Sequence, residues 1–164
     1  MKLQILMFYQ DDPKKCTAAK LAKFGLVKMV RAVRGRGLVL NPFATKTLLP
    51  ADRSVINSIV GIDCSWNLAE QAFSKDFGGI KRRLPPLLAG NPVNYSRVGK
   101  LTTVEALSAS LLVLGFWDQA LSLLDKFKWG HTFYELNQNL FEEYSKLRSQ
   151  EQIPLIARQY GLTC

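Results

Sequence analysis

The sequence predicts an α/β fold in which a parallel sheet with helices is followed by a helical C-terminal part. Over roughly the first ninety residues, short apolar runs alternate with helix-like segments, which is typical of a parallel sheet with helical crossovers. After Leu101 the apolar residues recur at helical spacing. We therefore expect an α/β domain over residues 1–92 and a helical domain over residues 93–164, with the functional site between them.

The predicted strands are short apolar runs that end in polar or turn residues. They fall within residues 3–9, 26–30, 37–43 and 59–66. The helices of this part are predicted within residues 11–25, 48–58 and 67–73. Gly25 is a natural stop for the first helix, and Pro50 suits the first turn of the second.

The C-terminal helices are predicted from their apolar faces. Residues 102–116 are apolar nearly all round, which is typical of a buried central helix. Residues 118–127 are amphipathic, and a short last helix over residues 153–161 is closed by Gly161. Between them, one face of a long helix carries apolar residues at spacings of three and four: Phe133, Leu136, Leu140, Tyr144 and Leu147.

The two parts are joined by RRLPPLLAGNPVNYSRVGKLTTVEAL, from Arg82 to Leu107. Basic residues lead into two prolines and a Gly-Asn-Pro turn, and the central helix follows. The stretch has too many apolar residues for a solvated linker and too many helix breakers for a regular element. Neither a linker nor a regular helix or strand explains this segment, so a binding role for it has to be considered.

Cysteine and histidine content argue against a metal site. The three cysteines lie far apart without a CxxC pair, and the one histidine is His131, so no zinc site is expected. A sparse, odd cysteine count suggests a reducing, cytoplasmic compartment. No apolar run approaches the ~18 residues of a membrane span. Residues 1–9 fit an alternating strand better than a signal peptide.

The net charge of +9 is the strongest compositional signal. The basic residues cluster in PKK, KLAKF, VKMVRAVRGRG and IKRR. Such clusters favour a polyanionic partner, RNA or DNA, although a basic surface can also be merely solvated. A membrane partner is not expected, because no basic amphipathic helix has a clean apolar face.

Polar segments follow three predicted strands, namely DDPKKCT, NPF and DCSW. Ligands of open parallel sheets bind beyond the carboxyl ends of the strands, which makes these segments candidates for the site. Asp63 is the most suggestive residue, although capping of the next helix is the commoner role. Trp66 taken alone fits the core better than a ligand wall. Cys64 has no histidine nearby in sequence to make it a nucleophile.

Three threonines begin predicted helices: Thr17, Thr102 and Thr103. The N–H groups there suit a carboxylate or phosphate, but capping of its own helix by each hydroxyl is the preferred interpretation from the residues alone. His131 is interpreted as a helix-start or packing residue. The RGRG of residues 34–37 is a basic turn, and no glycine-rich phosphate motif occurs.

Four motifs in order carry a resemblance: LNPF with LLPADR, GIDCSW, the Arg82–Leu107 stretch, and WGHTFYELNQNLFEEY. Together they resemble the small-subunit ribosomal RNA aminocarboxypropyltransferase family over most of the chain. Because the chain lacks the long acidic tail of eukaryotic members, an archaeal-type member is expected. The resemblance implies a SPOUT-like fold with a C-terminal trefoil knot, which composition could not predict since knots are rare.

The resemblance also implies a reaction. The family transfers the 3-amino-3-carboxypropyl group of S-adenosylmethionine to a methylated pseudouridine, here N3 of a (N1-methyl)pseudouridine, and 5′-methylthioadenosine is released. S-adenosylmethionine is then the co-substrate, no metal is needed, and the partner is small-subunit ribosomal RNA or a pre-ribosomal subunit. A monomer is expected, because one chain supplies both lobes of the pocket.

The implied site divides into regions around the co-substrate. The apolar pocket for the adenine is expected from Leu40, Pro42, Leu84, Leu87 and Leu101. Backbone atoms of Ile62 would hold the ribose, while Trp66 would shield the methyl group. The N–H and hydroxyl of Thr17 and the N–H of Thr103 would hold the carboxylate. Asp63 is the catalytic candidate, because it could accept the N3 proton or orient it. Alternatively, it would only support the co-substrate. The prolines and the Gly-Asn-Pro turn would be a rigid wall of this pocket.

The basic residues expected to contact RNA are Lys14, Lys15, Lys20, Lys23, Lys81, Arg82, Arg83, Arg97 and Lys100. Two alternatives remain open. A SPOUT-type RNA methyltransferase would share the co-substrate and fold class, but it usually needs a dimer to complete its site. A non-catalytic basic RNA-binding module would explain the charge and leave DCSW and NPVNY without a purpose.

Overall fold

The computed structural model describes residues 1–8, 14 and 16–162. Its centre is a five-stranded sheet in the order β2-β1-β4-β3-β5, and every neighbouring pair is parallel. The strands are β1 (Lys2–Met7), β2 (Lys28–Met29), β3 (Gly37–Leu40), β4 (Ser58–Asp63) and β5 (Ile80–Arg82). The predicted parallel α/β architecture is therefore confirmed.

Helices surround the sheet and make up the C-terminal part. They are α1 (Thr17–Lys23), α2 (Ala69–Phe73), α3 (Thr103–Leu114), α4 (Trp117–Leu124), α5 (Gly130–Tyr144) and α6 (Gln152–Gln159). Two short 3₁₀ helices span Pro50–Ser54 and Trp66–Leu68. Gly25 and Gly161 follow α1 and α6 with positive φ angles, as expected for residues that stop a helix.

The α3 helix is buried nearly all round, as its sequence predicts. Ten of its twelve residues are buried. It packs against β4, where Gly61 has no side chain and lets Thr103 and Leu107 approach the strand. The other face of the sheet carries a smaller apolar cluster, Leu6, Val39 and Val60, against which half-buried apolar side chains pack.

Two predictions of secondary structure need correction. The helix predicted over residues 48–58 is only the 3₁₀ helix Pro50–Ser54, in which a carboxylate oxygen of Asp52 accepts a bond from the N–H of Leu49 at 3.0 Å. Strand β5 was not predicted, because two of its three residues are charged. Its pairing with β3 at the edge of the sheet decides its conformation, and charge is common on edge strands.

Within the described residues, none of the helices is both long enough and apolar enough to span a membrane.

Candidate active site

A cavity of about 1140 Å³ lies at the carboxyl ends of β3 and β4. Its wall is completed by the segment after β5, the start of α3 and part of α6. This is the edge where the sequence predicts ligand binding in an open parallel sheet. The volume is sufficient for a nucleoside-sized ligand with room for a second reactant.

The cavity brings together most of the residues predicted to bind the co-substrate. The members of that set that line it are Thr17, Leu40, Pro42, Ile62, Trp66, Leu84, Leu101 and Thr103. Asp63 also lines the cavity. Leu87 does not, because it is 0% exposed and packs in the hydrophobic core behind the wall. We therefore remove Leu87 from the candidate site.

Asp63 ends β4 and is joined to the starts of two helices. Its Oδ1 accepts a hydrogen bond from the hydroxyl of Thr103 at 2.8 Å, and its Oδ2 accepts one from the thiol of Cys16 at 3.2 Å. The residue is 7% exposed. Each oxygen has a further lone pair, so the arrangement holds the carboxylate in one orientation and leaves it able to accept another proton donor.

The Cys16 thiol is held in its neutral form. Burial raises the pKa of this thiol from its ordinary value of 9.0 to about 11, and the hydrogen bond to Asp63 and the negative charge of that carboxylate add to the rise. A neutral thiol is a poor nucleophile near pH 7. Cys16 therefore acts here as a hydrogen-bond donor to Asp63 and as the N-cap of α1, where its sulfur accepts from the N–H of Ala19 at 3.4 Å.

The helix-start threonines differ in what their hydroxyls do. Thr102 caps its own helix, since its Oγ1 accepts a bond from the N–H of Glu105 at 3.4 Å. Thr17 does not cap α1; its Oγ1 accepts from the N–H of Val104 at 3.2 Å and so joins α1 to α3. Capping was the preferred interpretation for all three threonines, and it applies only to Thr102.

Trp66 is half-buried in the cavity wall rather than in the core. Its indole N–H donates to the carbonyl of Leu101 at 3.1 Å, which fixes the ring against the segment before α3. The ammonium of Lys100 lies 4.8 Å from the ring centroid, a distance at which a cation is attracted to an indole face. The ring is therefore held from two sides.

A buried carboxylate that sequence reasoning missed organises the Gly-Asn-Pro turn. Glu105 is 0% exposed. One of its oxygens accepts from the N–H groups of Gly90 and Asn91 at 2.7 and 3.0 Å. The other accepts from the Asn91 side chain at 2.8 Å and from the N–H and hydroxyl of Thr102 at 2.7 and 2.9 Å. The spacing Thr-x-x-Glu, a capping box, was the available signal.

The proline-containing segment is also fixed from its other side, by α5. Asn137 is buried on the apolar face of that helix and exchanges two hydrogen bonds of 2.8 Å with the backbone of Leu88. The hydroxyl of Tyr144 donates to the carbonyl of Pro86 at 2.8 Å. Gly90 packs so tightly that an added Cβ would lie 2.6 Å from the Phe133 backbone. The segment is therefore a rigid wall.

The basic residues predicted to contact RNA are in different environments. Arg82 forms an ion pair with Asp52 and donates two hydrogen bonds to its carboxylate, at 3.2 and 3.0 Å. Both side chains are largely buried. We therefore withdraw Arg82 from the RNA-binding set. Lys81 pairs with the exposed Asp76 at 3.0 Å. Arg83 lines the cavity and donates to the hydroxyl of Thr47 at 3.1 Å.

The remaining members of that set lie at the surface. Lys20 is exposed, with its ammonium 5.8 Å from the ring centroid of Phe127. The other exposed members are Lys14, Lys23, Arg97 and Lys100. Lys15 lies outside the described residues. Arg158 of α6 also lines the cavity, although its sequence context carried no signal for this position.

His131 is the second residue of α5, and its Nε2 lies 2.8 Å from an oxygen of Asp125. Both side chains are exposed, so the helix-start interpretation holds and the packing interpretation does not. Among the residues that the structure describes, no group of three His, Cys, Asp or Glu side chains could hold a metal ion.

The arrangement fits a ligand with one apolar part and one anionic part. The apolar wall is formed by Leu40, Pro42, Leu84 and Leu101. The first turns of α1 and α3, by contrast, are polar. Their backbone N–H groups lack intrahelical acceptors and favour an anion. Asp63 and Trp66 also line this cavity.

Two known protein families match parts of the chain. Residues 38–161 match the family described as "Ribosome biogenesis protein, C-terminal". Residues 1–34 match "Possible Fer4-like domain in RNase L inhibitor, RLI". That segment contains one cysteine, Cys16, whereas iron–sulfur clusters are held by about four. Its residues therefore do not fit a cluster.

Similar proteins cover nearly the whole chain. The sequence of this chain is 42% identical to that of the 16S rRNA aminocarboxypropyltransferase of Saccharolobus islandicus (strain M.16.27), over 97% of this chain and 95% of that protein. The protein of the same name from Halobacterium salinarum is also 42% identical, over 98% and 96%. The one from Methanobrevibacter smithii is 40% identical, over 98% and 97%.

A solved structure is similar as well. It is described as the SAM-dependent rRNA:acp-transferase Tsr3 from Vulcanisaeta distributa. The TM-score is 0.82 at 37% sequence identity, and the match covers 87% of this chain and 82% of that one.

Proposed function

The chain belongs to the 16S rRNA aminocarboxypropyltransferase family, and on this premise we propose that it modifies small-subunit ribosomal RNA during ribosome biogenesis. It transfers the 3-amino-3-carboxypropyl group of S-adenosylmethionine to N3 of a (N1-methyl)pseudouridine and releases 5′-methylthioadenosine. The observation that carries this proposal is that Thr17, Asp63, Trp66 and Thr103 all line one cavity. They come from four separate elements, namely α1, β4, the 3₁₀ helix Trp66–Leu68 and α3.

S-adenosylmethionine, bound in this cavity, supplies an electrophilic carbon next to its sulfonium. The protein must direct the attack to the aminocarboxypropyl carbon rather than to the methyl carbon, because attack occurs at the carbon that is presented in line. Trp66 covers the methyl side, and its bond to Leu101 keeps the ring in place. The apolar wall holds the adenine, and the backbone of Ile62 holds the ribose.

The starts of α1 and α3 hold the carboxylate of the transferred group. The N–H and hydroxyl of Thr17 and the N–H of Thr103 are the donors. The bond from Val104 to the Thr17 hydroxyl supports this role, because it keeps the two helix starts together. Helix starts favour carboxylates through their free N–H groups and partial positive charge.

Asp63 is the candidate catalytic residue. As N3 of the uracil forms its bond to carbon and the sulfur–carbon bond breaks, the N3 proton passes to the Asp63 carboxylate. The fixed orientation of this carboxylate by Thr103 and Cys16 supports the role, since a general base must lie within hydrogen-bond reach of its proton.

The RNA approaches the open side of the cavity. Arg83 and Arg158 line it, and the exposed Arg97 and Lys100 lie in the segment that forms its wall. These cations contact phosphates and orient the RNA without reading its sequence. Lys14, Lys15, Lys20, Lys23 and Lys81 remain in the proposed set. A substrate in the ribosomal small subunit agrees with a cytoplasmic location.

The finer architecture is proposed to be two lobes, residues 1–92 and 93–164, in a SPOUT-like fold with a C-terminal trefoil knot. The contribution of both ranges to the cavity wall supports the lobes. The knot is proposed from the family resemblance, and two bonds between Gln150 and the backbone of Thr47 bring the C-terminal part against the loop after β3. Pulling on both termini tests the knot, because a knotted chain extends to less than ~3.5 Å per residue.

A monomer is proposed because residues from both ranges, 1–92 and 93–164, of one chain line the cavity, so that the pocket does not need a second chain to supply either lobe. Sedimentation of the protein with and without RNA measures this directly. A SPOUT methyltransferase would be expected to sediment as a dimer.

Product analysis tests the function. The protein is incubated with small-subunit RNA that carries the (N1-methyl)pseudouridine and with S-adenosylmethionine labelled either in the carboxyl or in the methyl group. We expect 5′-methylthioadenosine and carboxyl label in the RNA. S-adenosylhomocysteine with methyl label in the RNA would establish a methyltransferase instead. If the protein does not bind S-adenosylmethionine at micromolar concentration, the interpretation as a non-catalytic RNA-binding module would be favoured.

A further inference from the structure

An exposed apolar tip projects from the rigid wall of the cavity. We define the tip as residues Asn91–Arg97. Val93 is 84% exposed and Tyr95 is 55% exposed. Exposed apolar side chains are ordinary when scattered singly, but these two stand on one short loop beside the cavity, and Val93 and Asn94 line it.

The tip is held in one conformation from within. The side-chain oxygen of Asn91 accepts from the N–H of Asn94 at 2.9 Å, and Asn91 is itself bound to the buried Glu105. The N–H of Ser96 donates to the carbonyl of Ala89 at 2.7 Å, and Ser96 adopts a φ of 60°. A residue other than glycine rarely adopts that conformation. The tip therefore presents Val93 and Tyr95 without needing to be ordered on binding.

The surroundings of the tip are basic. Arg97 ends it, Lys100 follows three residues later, and both are exposed. Arg83 lines the same cavity. An aromatic side chain among cations is the combination that binds single-stranded nucleic acid, in which the cations contact the backbone and the ring stacks on a base.

The proposed reaction leaves room for such a contact. N3 of a uracil lies on the edge that pairs with another base, so the target nucleotide must leave the RNA stack to reach the cavity. Its neighbours then lose a stacking partner. An aromatic ring fixed at the mouth of the cavity can replace that partner, which is how single-stranded RNA is commonly recognised.

We propose that the tip is an RNA-recognition element in which Tyr95 stacks on a base adjacent to the target nucleotide while Val93 lies at the entrance through which the target passes. The proposal rests on the proposed function, because it deepens the account of how that RNA is bound. It assigns to the NPVNY segment a contact with RNA in addition to its place in the cavity wall.

The test compares Tyr95→Ala and Tyr95→Phe with the wild-type protein. Val55→Ala is the control, because Val55 is 44% exposed and precedes β4, at the edge of the sheet opposite to the cavity. Binding of S-adenosylmethionine alone is measured first by calorimetry. Every variant should bind it as the wild type does, which also establishes that each is folded. Loss of this binding in Tyr95→Ala would assign Tyr95 to the pocket and overturn the proposal.

Affinity for the substrate RNA is then measured at several salt concentrations. Tyr95→Ala should bind about 5- to 150-fold more weakly, with the dependence on salt unchanged, because no phosphate contact is removed. Tyr95→Phe and Val55→Ala should bind as the wild type does. An equal loss in Tyr95→Phe would show that the hydroxyl and not the ring makes the contact, and wild-type affinity of Tyr95→Ala would show that the ring makes none. Either result overturns the proposal.

A base deletion provides the second readout. RNAs with an abasic site on the 5′ or the 3′ side of the target are compared with the intact RNA. One of the two should weaken binding by the wild type but cause little further loss in Tyr95→Ala, because two changes that remove the same contact are not additive. Additive losses at both positions would overturn the proposal. Wild-type protein that forms no 5′-methylthioadenosine would instead refute the proposed function, so the two failures are distinct.

Discussion

The hydroxyl of Thr103 donates a 2.8 Å hydrogen bond to Asp63 across a separation of 40 residues. It joins the first residue of α3 to the last residue of β4. Cys16 donates to the other oxygen of the same carboxylate, so one side chain connects the sheet to the starts of two helices. The cavity wall and the proposed proton acceptor therefore depend on the same few contacts.

Asp63→Asn should separate catalysis from binding. The change keeps the size of the side chain and removes its charge, so turnover should fall by ~100-fold or more if Asp63 takes the N3 proton. Affinity for S-adenosylmethionine should change little. Single-turnover kinetics and calorimetry measure the two quantities, with the exposed Asp118→Asn as control. Normal turnover with normal affinity would show that Asp63 is only a structural link between the sheet and the helices. Normal turnover with weaker binding of S-adenosylmethionine would show that it supports the co-substrate.

Trp66→Ala should weaken binding of S-adenosylmethionine, because the ring that covers the methyl side is lost. Trp66→Phe keeps an aromatic wall and loses only the bond to Leu101, so its affinity should lie between those of the wild type and the alanine variant. Calorimetry measures all three proteins after circular dichroism has established folding. Equal affinities in the three would remove Trp66 from the binding site.

Glu105→Ala should destabilise the fold. The change leaves the N–H groups of Gly90, Asn91 and Thr102 without their acceptor, and each buried donor left unsatisfied costs about 1–3 kcal/mol. The free energy of unfolding should therefore fall by about 3 kcal/mol or more, as measured by urea denaturation. The exposed Glu135→Ala on α5 is the control. An unchanged midpoint would mean that water replaces the carboxylate at no cost.

Arg83→Gln should affect RNA binding, whereas Arg82→Gln should affect the free energy of unfolding. Arg83→Gln should weaken RNA binding and reduce the slope of log affinity against log salt by ~0.7, the value for one single-strand phosphate contact. Arg82→Gln removes the charged bonds to Asp52, so it should lower the free energy of unfolding by about 1.5–3 kcal/mol and leave that slope unchanged. A lower slope in Arg82→Gln with normal stability would restore Arg82 to the RNA-binding set.

Cys16 should make stability depend on alkaline pH. The folded protein retains the thiol proton up to a pKa of about 11, because burial and the neighbouring Asp63 raise it, whereas the unfolded chain releases it near 9.0. The unfolded state then binds fewer protons in this interval, so the free energy of unfolding should decrease as the pH rises from about 9 to about 11. Urea denaturation across this range should show a shallower decrease in Cys16→Ser. The same slope in both proteins would contradict the role of Cys16.

Elements that consist of a continuous apolar run could be predicted from the sequence. The α3 helix is apolar all round because it is buried all round, and β4 is an apolar run because both of its faces are covered. Strand β5 could not be predicted, because Lys81 and Arg82 make it resemble a solvated run. Its hydrogen bonds to β3 form only when the sheet assembles, and no local preference records them.

By itself the sequence determined the fold class, the edge of the sheet where the site lies, and, through its motifs, the family. Only the tertiary structure decided which charges are free to act. Arg82 and Arg83 are neighbours in sequence, yet one is paired with Asp52 and the other lines the cavity. Glu105, part of a capping box by its spacing, also holds the Gly-Asn-Pro turn from 14 and 15 residues away. The physical reason is that the role of a charge depends on the partners within a few ångströms of it, and folding brings those partners from distant positions in the chain.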